Sequence, residues 1–275
     1  MSGNLQLLAD TLARAKQENR AALITGTTAG FPTVSEGIAA IQAMLNGGAD
    51  IVEVGLPHSD PLLDGPVIQA ADDIALRRGV RIADVIRTVR ETYRATGKPV
   101  LVMSYWNPID KYGVERFSSE LADAGGAGCI LPDLPVQESA LWRESAARHS
   151  LATIFMAAPS TTDERLRELT AAGSGFIYAS SVMGVTGIRE SVNTAARSLV
   201  QRIRATTELP VCVGIGISNA AQAAHVAGFA DGVIVASVLV KAILGAPDAA
   251  ARASAVAGLT AGLSIATRRL AIEAS

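Results

Sequence analysis

A unit that recurs eight times constrains this chain more than any other feature: a short, continuous apolar run followed by a longer amphipathic stretch. The runs fall at Ala22–Thr25, Ile51–Val54, Val100–Met103, Cys129–Leu131, Thr153–Met156, Phe176–Tyr178, Val211–Val213 and Val233–Val235. They are apolar throughout rather than alternating, as expected of strands buried on both faces of a parallel sheet. Helical periodicity occupies Val34–Asn46, Ile82–Ala95, Val114–Ala124, Gln137–Ser150, Thr162–Ala172, Val192–Thr206, Asn219–Ala227 and an Ala-rich tail, Asp248–Ile272. Eight strand–helix units in about 250 residues predict an α/β chain folded as a single (β/α)8 TIM barrel. Residues 1–20 are expected to form an extra helix capping the barrel's N-terminal end, and residues 21–275 the barrel itself. An open doubly wound sheet is the competitor, but Thr25-Gly26-Thr27-Thr28-Ala29-Gly30 lacks the glycine spacing of a dinucleotide fingerprint. Gly55 to Gly79 is predicted to be the one long irregular connection, of the kind that carries function.

Composition removes several alternatives. With 49% hydrophobic residues and a net charge of -2, the chain can bury enough surface to fold. Its 24 Lys and Arg against 26 Asp and Glu leave no basic excess for a phosphate backbone, so nucleic acid is not an expected partner. The mean hydropathy of +0.30 invites a membrane reading. The longest run free of Asp, Glu, Lys and Arg is Leu209–Ala230, and it is broken by Pro210, Asn219, Gln222 and His225. No membrane partner is therefore expected, and the expected location is cytoplasmic. Cys129 and Cys212 sit in apolar runs and are predicted to be buried free thiols.

Active sites of such barrels lie at the C-terminal strand ends, which shortens the search. Glu53 stands among apolar strand residues, where a raised pKa would suit a general acid/base; the alternative is a solvated strand-end Glu or a partner for an Arg. Eleven residues on, Asp64 lies in Pro57-His58-Ser59-Asp60-Pro61-Leu62-Leu63-Asp64-Gly65-Pro66. That semi-rigid loop either holds a second carboxylate over the barrel mouth or is a solvated, helix-capping stretch. After strands six, seven and eight come glycine- and serine-rich turns: Ser180 to Gly187, Gly214-Ile215-Gly216-Ile217-Ser218, and Ala236-Ser237. Backbone N–H groups at such helix starts form a recurrent phosphate site in this fold. The histidines His58, His149 and His225 are scattered and predict no metal site. Neither Lys98 nor Lys241 is placed on a strand as a Schiff-base former. The residues alone thus point to a carboxylate-driven lyase or isomerase acting on a small phosphate ester.

The ordered segments resemble those of the tryptophan synthase alpha subunit family. They are Val52 to Gln69, Tyr105-Trp106-Asn107-Pro108-Ile109, Pro132-Asp133-Leu134-Pro135, Ala158-Pro159-Ser160, Phe176-Ile177-Tyr178, Met183 to Gly187, Gly214 to Ser218, and Ala230 to Val235. The resemblance runs from about residue 20 to residue 245. It implies retro-aldol cleavage of indole-3-glycerol phosphate to indole and glyceraldehyde 3-phosphate, with Glu53 as general acid/base and Asp64 holding the indole N–H. It further implies that Tyr178 and Thr186 position substrate and that Gly187, Gly216, Ala236 and Ser237 contact phosphate. Ile68, Met103, Ile130 and Ile215 are implied to line the indole pocket. No cofactor is implied in this chain; pyridoxal phosphate is expected in a β subunit, bound in an α2β2 assembly through the loop at Pro57–Asp60 and the stretch around Asn107 and Pro108. Four positions depart from the family pattern: Gly26 stands in place of an aromatic, His58 in place of another aromatic, Leu63 in place of a smaller residue, and Ala236 in place of Gly. These departures predict a looser pocket beside Gly26 and a weaker phosphate contact at residue 236 if that residue needs a positive φ. Two other readings remain: a stand-alone lyase releasing free indole, and a weakly active regulatory subunit docking to a β partner.

Overall fold

The computed structural model describes residues 3–61, 63–180, 189–214 and 216–269. Eight successive β/α units close into a parallel TIM barrel, with one strand made in two pieces. The first half of the chain supplies α1 (Asn4–Gln17), β1 (Ala22–Thr28), α2 (Val34–Asn46), β2 (Ile51–Gly55), α3 (Pro66–Arg77), α4 (Ile82–Thr96), β3 (Val100–Met103), α5 (Trp106–Tyr112), α6 (Val114–Asp123) and β4 (Gly126–Ile130). The second half supplies α7 (Ala140–Arg148), β5 (Ala152–Ile154), β6 (Met156–Ala157), α8 (Asp163–Ala172), β7 (Ile177–Ser180), α9 (Arg189–Arg204), β8 (Val211–Gly214), α10 (Ala220–Ala227), β9 (Gly232–Val235), α11 (Ser237–Gly245) and α12 (Ala249–Ala266).

The strand order is β5-β4-β3-β2-β1-β9-β8-β7-β6. Only Phe155 separates β5 from β6, so the two ends of the order are consecutive pieces of one barrel strand. The fifth apolar run is therefore interrupted: its first piece pairs with β4 and its second with β7. The Tyr178 N–H donates to the Phe155 carbonyl at 3.0 Å, which joins the two sides of the seam.

Two apolar layers result. The outer layer fills the space between sheet and helices, with Phe31, Ile41, Met44, Phe117 and Trp142 among its buried side chains. The inner layer fills the barrel with Ile24, Ile51, Leu101, Ile130, Ile154, Phe176 and Ile234. Leu8, Leu12 and Ala15 of α1 belong to this inner layer, so the expected capping helix is a plug in the N-terminal mouth. Cys212 is buried in the inner layer and Cys129 in the outer one, both as free thiols.

The expectation of an irregular connection from Gly55 to Gly79 is corrected, because Pro66–Arg77 is helical. Pro66 occupies its first turn, where a missing N–H costs nothing, and Ala71, Asp72 and Ala75 form its buried face. Among the described residues, the irregular part shrinks to 56–61 and 63–65. The helices α5 and α11 are also additions to the sequence reading. The Trp106 N–H that opens α5 is capped by both carboxylate oxygens of Asp133, at 2.9 and 3.1 Å. The Ala-rich α12 has 18 residues and a mean hydropathy of 1.3, long and apolar enough by length and composition to cross a membrane. Here it packs along α2, α10 and α11, and its Arg252 forms an ion pair with Glu36 of α2.

Candidate active site

Alternation along the inner strands decides what reaches the C-terminal mouth. On β1, Ile24 points into the inner layer and Gly26, two residues on, faces the cavity above it. On β2, Ile51 and Glu53 repeat the pattern, and Gly26 sits beside Glu53 in the sheet register. The mouth holds a cavity of about 630 Å3, lined among others by Glu53, Asp64, Ile68, Met103 and Tyr178. Gly216, Ala236 and Ser237 also line it. That volume suits a drug-sized ligand.

Glu53 is only 7% exposed, and its Oε2 has no hydrogen-bond partner. Burial, with a smaller contribution from the negative charge of Asp64, pushes its carboxyl up to about 8. It is therefore neutral at pH 7 and holds a proton it can give. The solvated and Arg-paired alternatives for Glu53 do not occur here.

Asp64 is half-buried on the loop between β2 and α3. The Tyr105 hydroxyl donates to its Oδ2 at 3.0 Å and accepts the Leu63 N–H at 3.0 Å. Burial raises the Asp64 carboxyl, while the Tyr105 hydrogen bond and nearby His58 oppose that rise. The His58 ring stacks on Tyr105 with centroids 4.8 Å apart and planes inclined by 26°. Two carboxyls thus face one cavity in different surroundings, an arrangement that separates acid from base.

Tyr178 lies across the barrel on β7, and burial drives its hydroxyl well above the ordinary tyrosine range. Gly214 makes room for it, since a Cβ there would lie 2.4 Å from the Tyr178 Oη. On the neighbouring β8 loop, Gly216 has φ +64°, a left-handed conformation favouring glycine. Ala236 precedes α11 with φ -127°, so its methyl needs no strained backbone, and the condition under which its replacement of Gly would weaken the contact is not met. No side chain caps that helix start, which faces the cavity through Ser237.

Gly26 is less of a gap than its missing side chain suggests. A Cβ built there would lie 3.2 Å from the Ala236 Cβ and 3.7 Å from the Glu53 Cβ. Part of the space is occupied by the methyl at residue 236. Leu63, 59% exposed, sits at the mouth of the cavity beside Asp64.

Ile130 is fully buried in the inner layer, level with Met103 in the sheet register, and is not among the cavity-lining residues. Thr186, Gly187 and Ile215 lie outside the described residues. Sequence reasoning missed Asp72, Thr28 and Tyr105 as members of the site. Asp72 had a usable signal: it falls on the stripe Ile68, Ala71, Asp72, Ala75 that marks the inward face of α3. Among the described residues, no group of three or more His, Cys, Asp or Glu side chains is placed to hold a metal ion.

Known proteins with this architecture share far more than the fold. The sequence model described as the tryptophan synthase alpha chain matches residues 12–264. The tryptophan synthase alpha chain of Streptomyces coelicolor is 72% identical over 263 residues, covering 96% of this chain and 97% of the relative. That of Thermobifida fusca is 52% identical over 247 residues, with 89% and 91% covered. Among solved structures, tryptophan synthase from M. tuberculosis in an open form superimposes with a TM-score of 0.87 at 41% identity, covering 95% of this chain and 98% of that one. The alpha subunit from Legionella pneumophila gives 0.87 at 30% identity, with 97% and 99% covered. With the barrel, the paired carboxyls and a relationship spanning nearly the whole length on both sides, the chain belongs to the tryptophan synthase alpha chain family.

Proposed function

We propose that this chain cleaves indole-3-glycerol phosphate to indole and glyceraldehyde 3-phosphate, the α half-reaction of tryptophan synthesis, with Glu53 and Asp64 as its catalytic pair. The single observation that carries this reading is the buried Glu53 carboxyl, its Oε2 without a partner, held protonated at neutral pH and facing the same cavity as Asp64. Neutral Glu53 donates its proton to C3 of the indole ring. Asp64 accepts a hydrogen bond from the ring N–H and stabilises the positive charge that protonation creates. The Glu53 carboxylate then takes the proton of the glycerol hydroxyl next to the ring, and the C–C bond breaks. Its electrons return to the ring and the hydroxyl carbon becomes the aldehyde, leaving Glu53 protonated as it began.

The substrate phosphate goes to Gly216, Ala236 and Ser237, where the uncapped start of α11 supplies N–H groups and the positive end of a helix dipole. Gly187 joins this site, and Thr186 and Tyr178 orient the substrate. Ile68 and Met103 form the apolar wall for indole; Ile215 is assigned to the same pocket, and Ile130 backs it from its position beside Met103 in the sheet. Pyridoxal phosphate in this family belongs to the β subunit, so the chemistry assigned to this chain is proton transfer alone. The α2β2 assembly, docked through residues 57–60 and the stretch around Asn107 and Pro108, is its proposed working form, in the cytoplasm.

Indole release by purified Glu53→Gln tests the reading. The expected result is loss of turnover by roughly a thousandfold with substrate binding retained; turnover near wild type sinks the assignment. Mixing the wild-type chain with a β subunit should raise its rate many-fold, and an unresponsive rate rejects the coupled assembly.

A further inference from the structure

Asp72 is a third carboxylate in the site, and no step above uses it. It lies on the inward face of α3, is 5% exposed and lines the cavity. Its Oδ1 accepts the Thr28 hydroxyl at 2.7 Å, and its Oδ2 lies 3.5 Å from the His58 N–H. Thr28 is the last residue of β1 and is fixed in the sheet register opposite Gly55. The base of the loop is fixed as well: the Ala29 N–H donates to the Gly55 carbonyl and the Leu56 N–H to the Met103 carbonyl, both at 2.8 Å. Beyond Leu56, the described ties from the loop to the barrel are made by side chains, beside one backbone bond within the loop from the Asp64 N–H to the Pro61 carbonyl at 3.2 Å. The His58 ring then stacks on Tyr105, which holds Asp64 and Leu63.

We propose that Asp72 is a positioning residue for the lyase reaction, latching the loop that carries Asp64 onto the end of the first barrel strand. This rests on the catalytic role assigned to Asp64. Thr28 anchors Asp72, Asp72 anchors the His58 backbone, the His58 ring supports Tyr105, and Tyr105 aims the Asp64 carboxylate. The latch is preorganisation: a reacting group displaced by about 1 Å can lose a hundredfold in rate.

The latch is also sensitive to protons. Burial, with the charge of Asp64 adding to it, lifts Asp72 to about 6, against the hydrogen bonds from Thr28 and the His58 backbone. The titratable groups facing it are Asp64 and His58 of the loop. β1 offers only the Thr28 hydroxyl, and α11, which packs on α3, carries one titratable side chain, the exposed Lys241. Below about pH 6 Asp72 is neutral and loses its charge-assisted hold on the loop, whereas Glu53 stays protonated and competent. The wild-type kcat therefore falls as pH drops through 6.

The test compares Asp72→Asn and Thr28→Val with the wild-type chain by kcat, KM, pH profile and hydrogen exchange over residues 56–65. In both variants the latch predicts faster loop exchange and a kcat lowered roughly tenfold with KM little changed. Asp72→Asn should also lack the acid limb near pH 6. Unchanged loop exchange overturns the latch. Faster exchange with wild-type kcat overturns the positioning role. Equal losses in kcat, KM and thermal stability, with the pH profile intact, reduce Asp72 to a structural residue and overturn the proposal too. Asp64→Ala, assayed alongside, keeps the readings apart: full activity there removes the catalytic pair itself, whatever the exchange data show.

Discussion

The two ends of the barrel are built from the same strands and do opposite things. At the N-terminal end, Ile24 and Ile51 meet Leu8 and Leu12 of the plugging helix, all buried in an apolar layer. Two residues further along the same faces, about 7 Å away, Gly26 and Glu53 face an open cavity, and one carboxylate oxygen is left without a partner. One step along a strand separates a packed layer from a reactive one. The packed layer below that step offsets, at the upper end, an arrangement that costs free energy. A carboxyl buried without a partner is such an arrangement.

If this division holds, substitutions at the two ends should separate cleanly in their effects. The largest is expected at the mouth: Asp64→Ala should lower indole release by about a thousandfold, roughly 4 kcal/mol in the barrier, while stability moves by less than about 1 kcal/mol. Steady-state kinetics with a denaturant titration checks both halves, and a large stability loss would blur the division. At the plug, Leu8→Ala should cost about 3 kcal/mol of stability by opening a cavity in the inner layer, with kcat per folded molecule unchanged. Urea unfolding measures the first and an active-fraction-corrected assay the second.

Glu53→Gln sharpens the contrast, because its stability effect has the opposite sign. The folded-state pKa of Glu53, about 8, lies above its ordinary value of 4.5. The folded state therefore binds more protons between those values, and wild-type stability falls as pH rises through that window. Glutamine carries no such loss. The variant should gain on wild type progressively from pH 5 to pH 8, by about 3 to 4 kcal/mol at the upper end. A pH-independent difference would mean that Glu53 is not desolvated as described. The smallest effect is expected at Gly26→Ala, whose methyl meets that of Ala236 at 3.2 Å. It should raise KM two- to threefold with kcat nearly constant, and Ala236→Gly should relieve it. A double-mutant cycle showing no coupling would break that pairing.

How much of this could be read without coordinates differs by level. The eight-unit architecture was plain because each strand is a continuous apolar run and most returns carry Gly or Pro. Glu53 and Asp64 were visible for the same reason, as charges where the pattern demanded apolar or tightly turned chain. The helix Pro66–Arg77 was hidden by its neighbours: a stretch rich in Pro, Asp and Gly precedes it and blurred where the irregular chain ends. Asp72 was lost in the Asp72-Asp73 pair, which reads as a solvated helix face. Only the buried partners Ala71 and Ala75 show that one of the two turns inward. Tyr105 was legible as part of a motif but not as a clamp, since its contact with Asp64 joins segments 41 residues apart. Periodicity reports which face is buried; it does not report which two polar groups meet across a cavity.

The two cysteines give the molecule a built-in gauge of its own opening. Cys129 and Cys212 lie on neither the cavity wall nor the surface, and they occupy opposite sides of one sheet. A thiol reagent reaches Cys129 only when the helical shell lifts, and Cys212 only when the barrel interior opens. Labelling rates at the two sites, followed by mass spectrometry on the unaltered chain, would therefore time the loosening of shell and interior as separate events.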